Sequence, residues 1–302
     1  MNDAAPHRAR SLDEFRQLQG QFFRGDEIAA SIASYRPRPT DVVISPFGKC
    51  GTTWLQQTFH TLRTRGDMDF DDISRVVPWI ETAGACGLDL EAPQRAEPRG
   101  FKSHLTWDRA PEGARYVVSL RDPKDAMVSH FRFMEGWFFE PGAIALGEYL
   151  AATLADRRPG HGYWSHLLGW WAQRRNPDVL LVSYEHMSAD PEANVRRLAG
   201  FCGIALDEAL LALTLQRTSL AFMLAHKDRF DDAMMRRLSE ERCGLPPGGD
   251  SAKVREGKVG ANRKQMPAEI AAAFDARWAE EVTPELGFSD YAALEAALRR
   301  DG

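Results

Sequence analysis

The sequence predicts an α/β fold of three layers, α/β/α, around a central and mainly parallel sheet. Three observations carry that expectation. Short β-branched runs alternate with helical stretches along the chain, the pattern of a parallel sheet covered by helices on both faces. One run, DVVIS at 41–45, passes through a glycine-containing turn directly into a helical stretch, as in the first half of a βαβ unit. The chain has 302 residues, 44% of them hydrophobic, enough for one large core.

Residues 1–40 read as an N-terminal arm with one or two short helices, ending at the proline-broken YRPRPT. DVVIS reads as a buried strand, PFGKCGTT (46–53) as a turn, and TWLQQTFHTLRTRG as a helix stopped at Gly66. Further strands are expected at GFKSH (100–104), RYVVSL (115–120) and VLLVS (179–183). Helices are expected at DPKDAMVSHFRFM, YWSHLLGWWAQRR, DPEANVRRLAGFCG and PAEIAAAFDARWAEEV. Residues 226–262 are rich in charge, Gly and Pro and read as a long surface loop, a candidate lid. No internal repeat or low-complexity linker divides the chain, so a single domain over 1–302 is expected.

Composition narrows the function classes. Thirty-eight Lys+Arg against 43 Asp+Glu give a net charge of −5, which argues against wholesale nucleic-acid binding but allows a local basic pocket. The four cysteines are far apart and form no CxxC pair, as expected of reduced thiols rather than a disulfide frame or zinc site. The opening MNDAAPHRAR leads into a polar stretch, and no later run approaches the roughly 18 apolar residues of a membrane span. No signal peptide and no membrane partner are therefore expected, and the expected compartment is the cytoplasm.

Four constellations carry chemistry. In PFGKCGTTW (46–54) a small-residue loop meets a helix N-terminus. Free backbone N–H groups, the Lys49 charge and the Thr52 and Thr53 hydroxyls make an anion cradle there. It lacks the GxxxxGK[ST] spacing of a triphosphate loop, because Lys49 precedes Gly51; a plain surface turn is the alternative for this loop alone. In SLRDPKDAMVSHF, Arg121 ends a strand and Ser129 lies eight residues on, inside a helix that starts near Pro123. Taken alone, that segment also fits a capped helix with solvated charges. In GFKSHLTWD, Lys102 and His104 are two apart and share one strand face. A buried Lys needs a partner, so the pair makes sense facing a polyanion and a proton donor; a lone histidine is otherwise structural. VREGKVGANRK (254–264) is a glycine-spaced basic loop able to close over a phosphate, or merely solvated surface.

The order of these segments resembles the cytosolic sulfotransferases that use 3′-phosphoadenosine-5′-phosphosulfate (PAPS), from about residue 35 to residue 285. PFGKCGTTW is similar to that family's 5′-phosphosulfate loop, RDPKDAMVS to its 3′-phosphate segment, and FKSHL to the strand carrying its catalytic histidine. HGYWSHLLGWWAQRRNPDVLLVSYEHM, RTSLAFM and VREGKVG resemble its adenine-side segments and closing glycine loop. The resemblance implies a P-loop-like sulfotransferase fold and metal-free transfer of a sulfuryl group from PAPS to an acceptor hydroxyl or amine, leaving 3′-phosphoadenosine-5′-phosphate (PAP). It further implies His104 as general base, with Lys49, Lys102 and Ser129 as its catalytic companions. Lys49, Cys50, Gly51, Thr52, Thr53, Trp54, Arg121, Ser129, Tyr184, Thr218, Leu220, Arg255, Glu256 and Gly257 would hold the nucleotide.

Phe47, Trp79, Phe133, Trp137, Phe138 and Phe139 lie at or near segments that line the acceptor pocket in that family. Such a wall favours a small flat apolar alcohol or phenol, though FMEGWFF also fits plain core packing. Leu220 replaces an aromatic that stacks on adenine, a contact worth ~1–3 kcal/mol, and Glu256 stands where a Lys is usual. The family's C-terminal dimer motif is not evident in NRKQMPAEIAAAF, so monomer and dimer both stay open. A triphosphate-using kinase and a silent nucleotide-binding protein on the same fold are the rival readings.

Overall fold

The computed structural model describes residues 6–158, 160–248, 253–254, 257 and 259–301. Four strands, β1 (Val42–Ile44), β2 (Gly100–Lys102), β3 (Arg115–Leu120) and β4 (Val179–Ser183), form a sheet in the order β2-β1-β3-β4. Every pairing is parallel: Val42 lies opposite Gly100 and Arg115, and Tyr116 opposite Val179. Each expected strand is present, with β1 and β2 shorter than the apolar runs that foretold them.

The N-terminal arm holds α1 (Leu12–Phe22) and α2 (Gly25–Ser34). β1 leads into α3 (Thr52–Thr64), followed by the single turn α4 (Ile73–Val76). After β3 come α5 (Pro123–Met134), α6 (Leu146–Ala155) and α7 (Gly162–Ala172). After β4 come α8 (Tyr184–Ala189), α9 (Pro191–Cys202), α10 (Glu208–Arg217) and α11 (Leu220–Ala225). The chain then continues through α12 (Ala233–Cys243), α13 (Ala268–Glu281), α14 (Thr283–Leu286) and α15 (Tyr291–Asp301).

Side-chain alternation along the strands divides the interior into two layers. Val42, Ile44, Val117, Leu180 and Val182 pack on Leu55, Phe59 and Leu62 of α3, Val195 and Leu198 of α9, and Leu210 and Leu211 of α10. Val43, Tyr116, Val118 and Leu181 pack on the opposite side with Leu167, Trp170 and Trp171 of α7, Phe274 and Trp278 of α13, and Leu294 of α15. This burial on both faces explains why the strands read as continuous apolar runs. At the head of β2, a Cβ on Gly100 would sit 2.1 Å from the Phe59 ring, so only glycine lets α3 lie this close.

Local chemistry sets the helix ends. Asp122 caps α5 through the Lys124 N–H with Pro123 in the first turn, and Asp190 with Pro191 does the same for α9. α3 stops at Thr64, where Arg65 (φ 54°) and Gly66 (φ 102°) both adopt left-handed backbone; the glycine shares the stop rather than making it alone.

The expectation of one long loop over 226–262 is corrected. Lys227–Phe230 form a 3₁₀ turn, and α12 buries Met234, Met235 and Ser239. Arg237 and Glu241 lie exposed on its outer face while Arg236 is buried against the Trp137 ring, and Gly244 (φ 60°) ends it in a left-handed cap. Of the remaining stretch, much lies outside the described residues.

Candidate active site

The carboxyl ends of all four strands meet one cavity of about 680 Å³, the place where open parallel sheets bind ligands. The turn after β1 supplies Phe47, Gly48, Lys49 and Gly51, and α3 adds Thr52, Thr53 and Trp54. Lys102 and His104 come from β2 and its end, Arg121 from the end of β3, and Tyr184 from the end of β4.

The cradle is built by backbone geometry. Lys49 (φ 65°) and Gly51 (φ 96°) both take positive φ, and Gly51 starts α3 without any side-chain cap. The first N–H groups of α3 are thus left to face the cavity. A Cβ on Gly51 would lie 3.1 Å from the Tyr184 ring and 3.4 Å from Ser119 Oγ. The Ser119 hydroxyl donates to the Cys50 carbonyl, and Arg121 donates to the Lys49 carbonyl at 2.8 Å. Two buried polar atoms of this wall, Thr52 Oγ1 and Arg121 Nε, have no hydrogen-bond partner. Such orphans are costly unless a ligand meets them.

At the other end, His104 Nδ1 lies 2.6 Å from the Pro46 carbonyl. A carbonyl only accepts, so Nδ1 carries the proton and Nε2 keeps its lone pair. The His104 backbone N–H donates to Glu81 Oε1 at 2.7 Å. Burial, then the Lys102 charge, holds the imidazole well below its ordinary pKa, so it is neutral at pH 7. Lys102 Nζ sits 3.9 Å above the Trp79 ring, and that ring meets His104 edge-on at 5.1 Å. Lys49 Nζ lies 4.4 Å from the Phe133 ring centre.

Of the residues singled out from sequence, the cavity gathers Phe47, Lys49, Gly51, Thr52, Thr53, Trp54, Trp79, Lys102, His104, Arg121, Ser129, Phe133, Trp137, Phe138, Tyr184, Thr218, Leu220 and Gly257. Ser129 of α5 and Arg121 at the end of β3 both line this cavity. Leu220 is 40% exposed and lies against Gly257, where a Cβ would come within 3.0 Å of it. The Thr218 hydroxyl is spent on the Thr214 carbonyl at 2.7 Å. Cys50 does not line the cavity: it is fully buried, and its N–H donates to the Phe47 carbonyl. Phe139 is core, packed on Phe15 and Phe131. Arg255 and Glu256 lie outside the described residues.

Sequence reasoning missed Gln19 and Phe23 of the arm, His130, Asp232 and Lys253, which also line the cavity. His130 was legible as the residue after Ser129; the others carry no local signal. Among the described residues no group of three or more His, Cys, Asp or Glu is gathered to hold a metal ion, and no helix is long and apolar enough to cross a membrane.

Comparison with known proteins agrees with this geometry. A family model described as a sulfotransferase domain matches residues 39–284. Human sulfotransferase 1C2 is 25% identical over 205 residues, covering 64% of this chain and 69% of its own length. Retinol dehydratase, solved with androsterone and inactive cofactor PAP, superposes with a TM-score of 0.68 at 19% identity, covering 90% of this chain and 94% of its own. Mouse sulfotransferase SULT7A1, solved with PAP, gives a TM-score of 0.66 at 19% identity, with coverage of 92% and 94%. These structural likenesses establish a shared fold, and the match of the family model over most of the chain establishes descent. The chain therefore belongs to the sulfotransferase family, whose enzymes take their sulfuryl group from PAPS.

Proposed function

We propose that this sulfotransferase sulfates a hydroxyl (or amine) of a small, apolar or aromatic acceptor in the cytoplasm, as one domain spanning the chain, with His104 as general base. The observation that carries the reading is the His104–Pro46 hydrogen bond, which leaves an unprotonated Nε2 on the cavity wall beside Lys49 and Lys102.

The residues present fit the nucleotide donor. The uncapped start of α3, the orphaned Thr52 Oγ1 and Arg121 Nε, and the cradle that a Cβ at Gly51 would fill all suit bound anions. When bound, PAPS supplies the sulfuryl group. Lys49, Thr52 and Thr53 would hold the 5′ end, Arg121, Ser129 and Gly257 the 3′-phosphate, and Trp54 with Tyr184 the adenine. Trp54 and Tyr184 meet edge-on at 5.8 Å, and Arg121 lies 4.2 Å over the Tyr184 ring. His104 Nε2, its lone pair open to the cavity, would take the acceptor proton during transfer. Lys49 and Lys102 would oppose the negative charge at the nucleotide's 5′ end. Transfer of this kind depends mostly on position and electrostatics.

Replacing Gly51 with alanine should reveal the cradle. The positive φ and the approach to Tyr184 together cost about 1–2 kcal/mol, so PAP affinity in a titration should fall roughly tenfold. Unchanged affinity would remove the cradle from the binding site.

The acceptor wall is Phe23, Phe47, Trp79, Phe133, Trp137 and Phe138. Labelled PAPS offered with a panel of phenols, lipophilic alcohols, amines and sugars should give sulfated product with the first two classes and little with sugars. Transfer confined to sugars would overturn the acceptor assignment.

A further inference from the structure

Asp232 departs from what its position in the chain dictates. It precedes α12 as the N-cap residue, where an aspartate ordinarily accepts a hydrogen bond from the first turn. Its side chain makes no such bond, and its backbone is left-handed (φ 52°, ψ 47°), a conformation that costs an L-residue roughly 1–2 kcal/mol. The capping is done from elsewhere. Asp72 Oδ2 accepts the Met234 N–H at 3.1 Å, while its Oδ1 accepts the Ser74 N–H at 2.8 Å and so caps α4. One buried carboxylate serves two helix starts, and the Asp232 carboxylate is released into the cavity wall.

There it meets two ammonium groups. Asp232 Oδ1 is 2.6 Å from Lys253 Nζ and 4.0 Å from Lys102 Nζ, with the Asp232 and Lys102 side chains each only 3% exposed. Lys102 is thus placed between this carboxylate and the Trp79 ring, which touches His104.

We propose that Asp232 is a positioning residue for Lys102: its carboxylate anchors the Lys102 ammonium over Trp79, while Lys253 takes the close ion pair and leaves Lys102 loose enough to serve the donor. The inference rests on the reading that Lys102 assists transfer. Among the described residues, this left-handed aspartate diverted from its own helix is ion-paired with Lys253 and Lys102, and a carboxylate paired with Lys102 alone would hold that ammonium away from the donor.

The charges facing Lys102 come from several elements: Asp232 before α12, Lys253 beyond it, Asp72 at α4, and Glu81, Cys86 and His104 from the segments flanking β2. Lys102 is held down to about 8, burial lowering it most while Asp232 pushes it back up and Lys253 pushes it down. Burial opposes the Asp232 charge, but Lys102 and Lys253 outweigh it and hold that carboxyl far below the usual range. Since Lys102 must be protonated to act, activity falls as pH rises through its pKa.

The test is the pH profile of kcat for the full chain at saturating PAPS. Asp232→Asn should lower kcat about tenfold and move the alkaline limb down by about one pH unit, with KM for PAPS near wild type. Lys253→Met should move the same limb up. Opposite shifts cannot come from general loosening of the fold. Limbs that stay in place, or that move together, overturn the proposal; should Asp232→Asn fail to fold, an unmoved limb in Lys253→Met does so alone. A Lys102→Met enzyme with wild-type kcat would instead overturn the underlying reading of Lys102.

Discussion

Replacing His104 with alanine should cut kcat by about 10²–10⁴-fold, the usual worth of a positioned proton acceptor, while PAP binds as before. The expected split follows from where the ring sits. Its Nδ1–H is committed to the Pro46 carbonyl, so it reports to the acceptor end and not to the phosphate cradle of Lys49, Gly51 and Arg121. Two other imidazoles stand nearby. His166 holds its Nε2–H on the Ser45 carbonyl at 3.0 Å, is 2% exposed and does not line the cavity, and that burial away from the acceptor removes it as the base. His130 lines the cavity with Nδ1 2.6 Å from the Tyr149 hydroxyl, and burial lowers it to about 4. Single-turnover transfer measured for His104→Ala and His130→Ala, each with a parallel PAP titration, separates them. Loss confined to His130→Ala would move the base to α5; equal loss of PAP affinity and transfer in His104→Ala would make the ring structural. Added imidazole should restore part of the His104→Ala rate.

Much of this site was readable from the chain because its parts are local. A strand buried on both faces must be apolar throughout, so DVVIS, RYVVSL and VLLVS announced the sheet. Whatever follows such strands lies at the sheet's carboxyl edge, which put Lys49, His104, Arg121 and Tyr184 within reach of one another. The cavity's aromatic run was harder. Phe133, Trp137 and Phe138 face the cavity while Phe139 turns into the core against Phe15, a split that depends on where α5 ends and on how the arm folds back. α12 reads as loop because it sits in a stretch rich in charge, Gly and Pro and its charges equal its apolar residues in number, although Met234 and Met235 suffice to bury one stripe. Asp232 had no signal at all. Its release from capping depends on Asp72, 160 residues earlier, and no pattern within a window of sequence contains that relation.

Asp41→Ala should be the most damaging single change to stability, at about 3–5 kcal/mol, the cost of stranding one member of a buried ion pair. Asp41 and Arg99 precede β1 and β2, and neither is more than 1% exposed. Arg99 reaches Asp41 through Nε at 2.9 Å and NH2 at 2.7 Å, and gives its remaining donors to the Leu90 and Arg36 carbonyls and Glu91. The Tyr35 hydroxyl and the Arg38 N–H complete the carboxylate's shell at 2.9 and 3.0 Å. With the Val42 N–H donating to the Arg99 carbonyl at 2.9 Å, this cluster ties the arm to the first strand pair at the end opposite the cavity. Removing the carboxylate leaves a buried guanidinium with only the longer, partly exposed Glu91 contact at 3.3 Å as counter-charge, and thermal melts should show a loss on the order of 10 °C. Asp41→Leu combined with Arg99→Met should recover part of that loss, because paired apolar replacements avoid the stranded charge. Well below the melting point, PAP affinity should remain near wild type, since the cradle and the pair lie at opposite ends of β1. A single variant that melts with the wild type would show that the Arg99 charge finds solvent or another partner, and would remove this pair as the lock between β1 and β2.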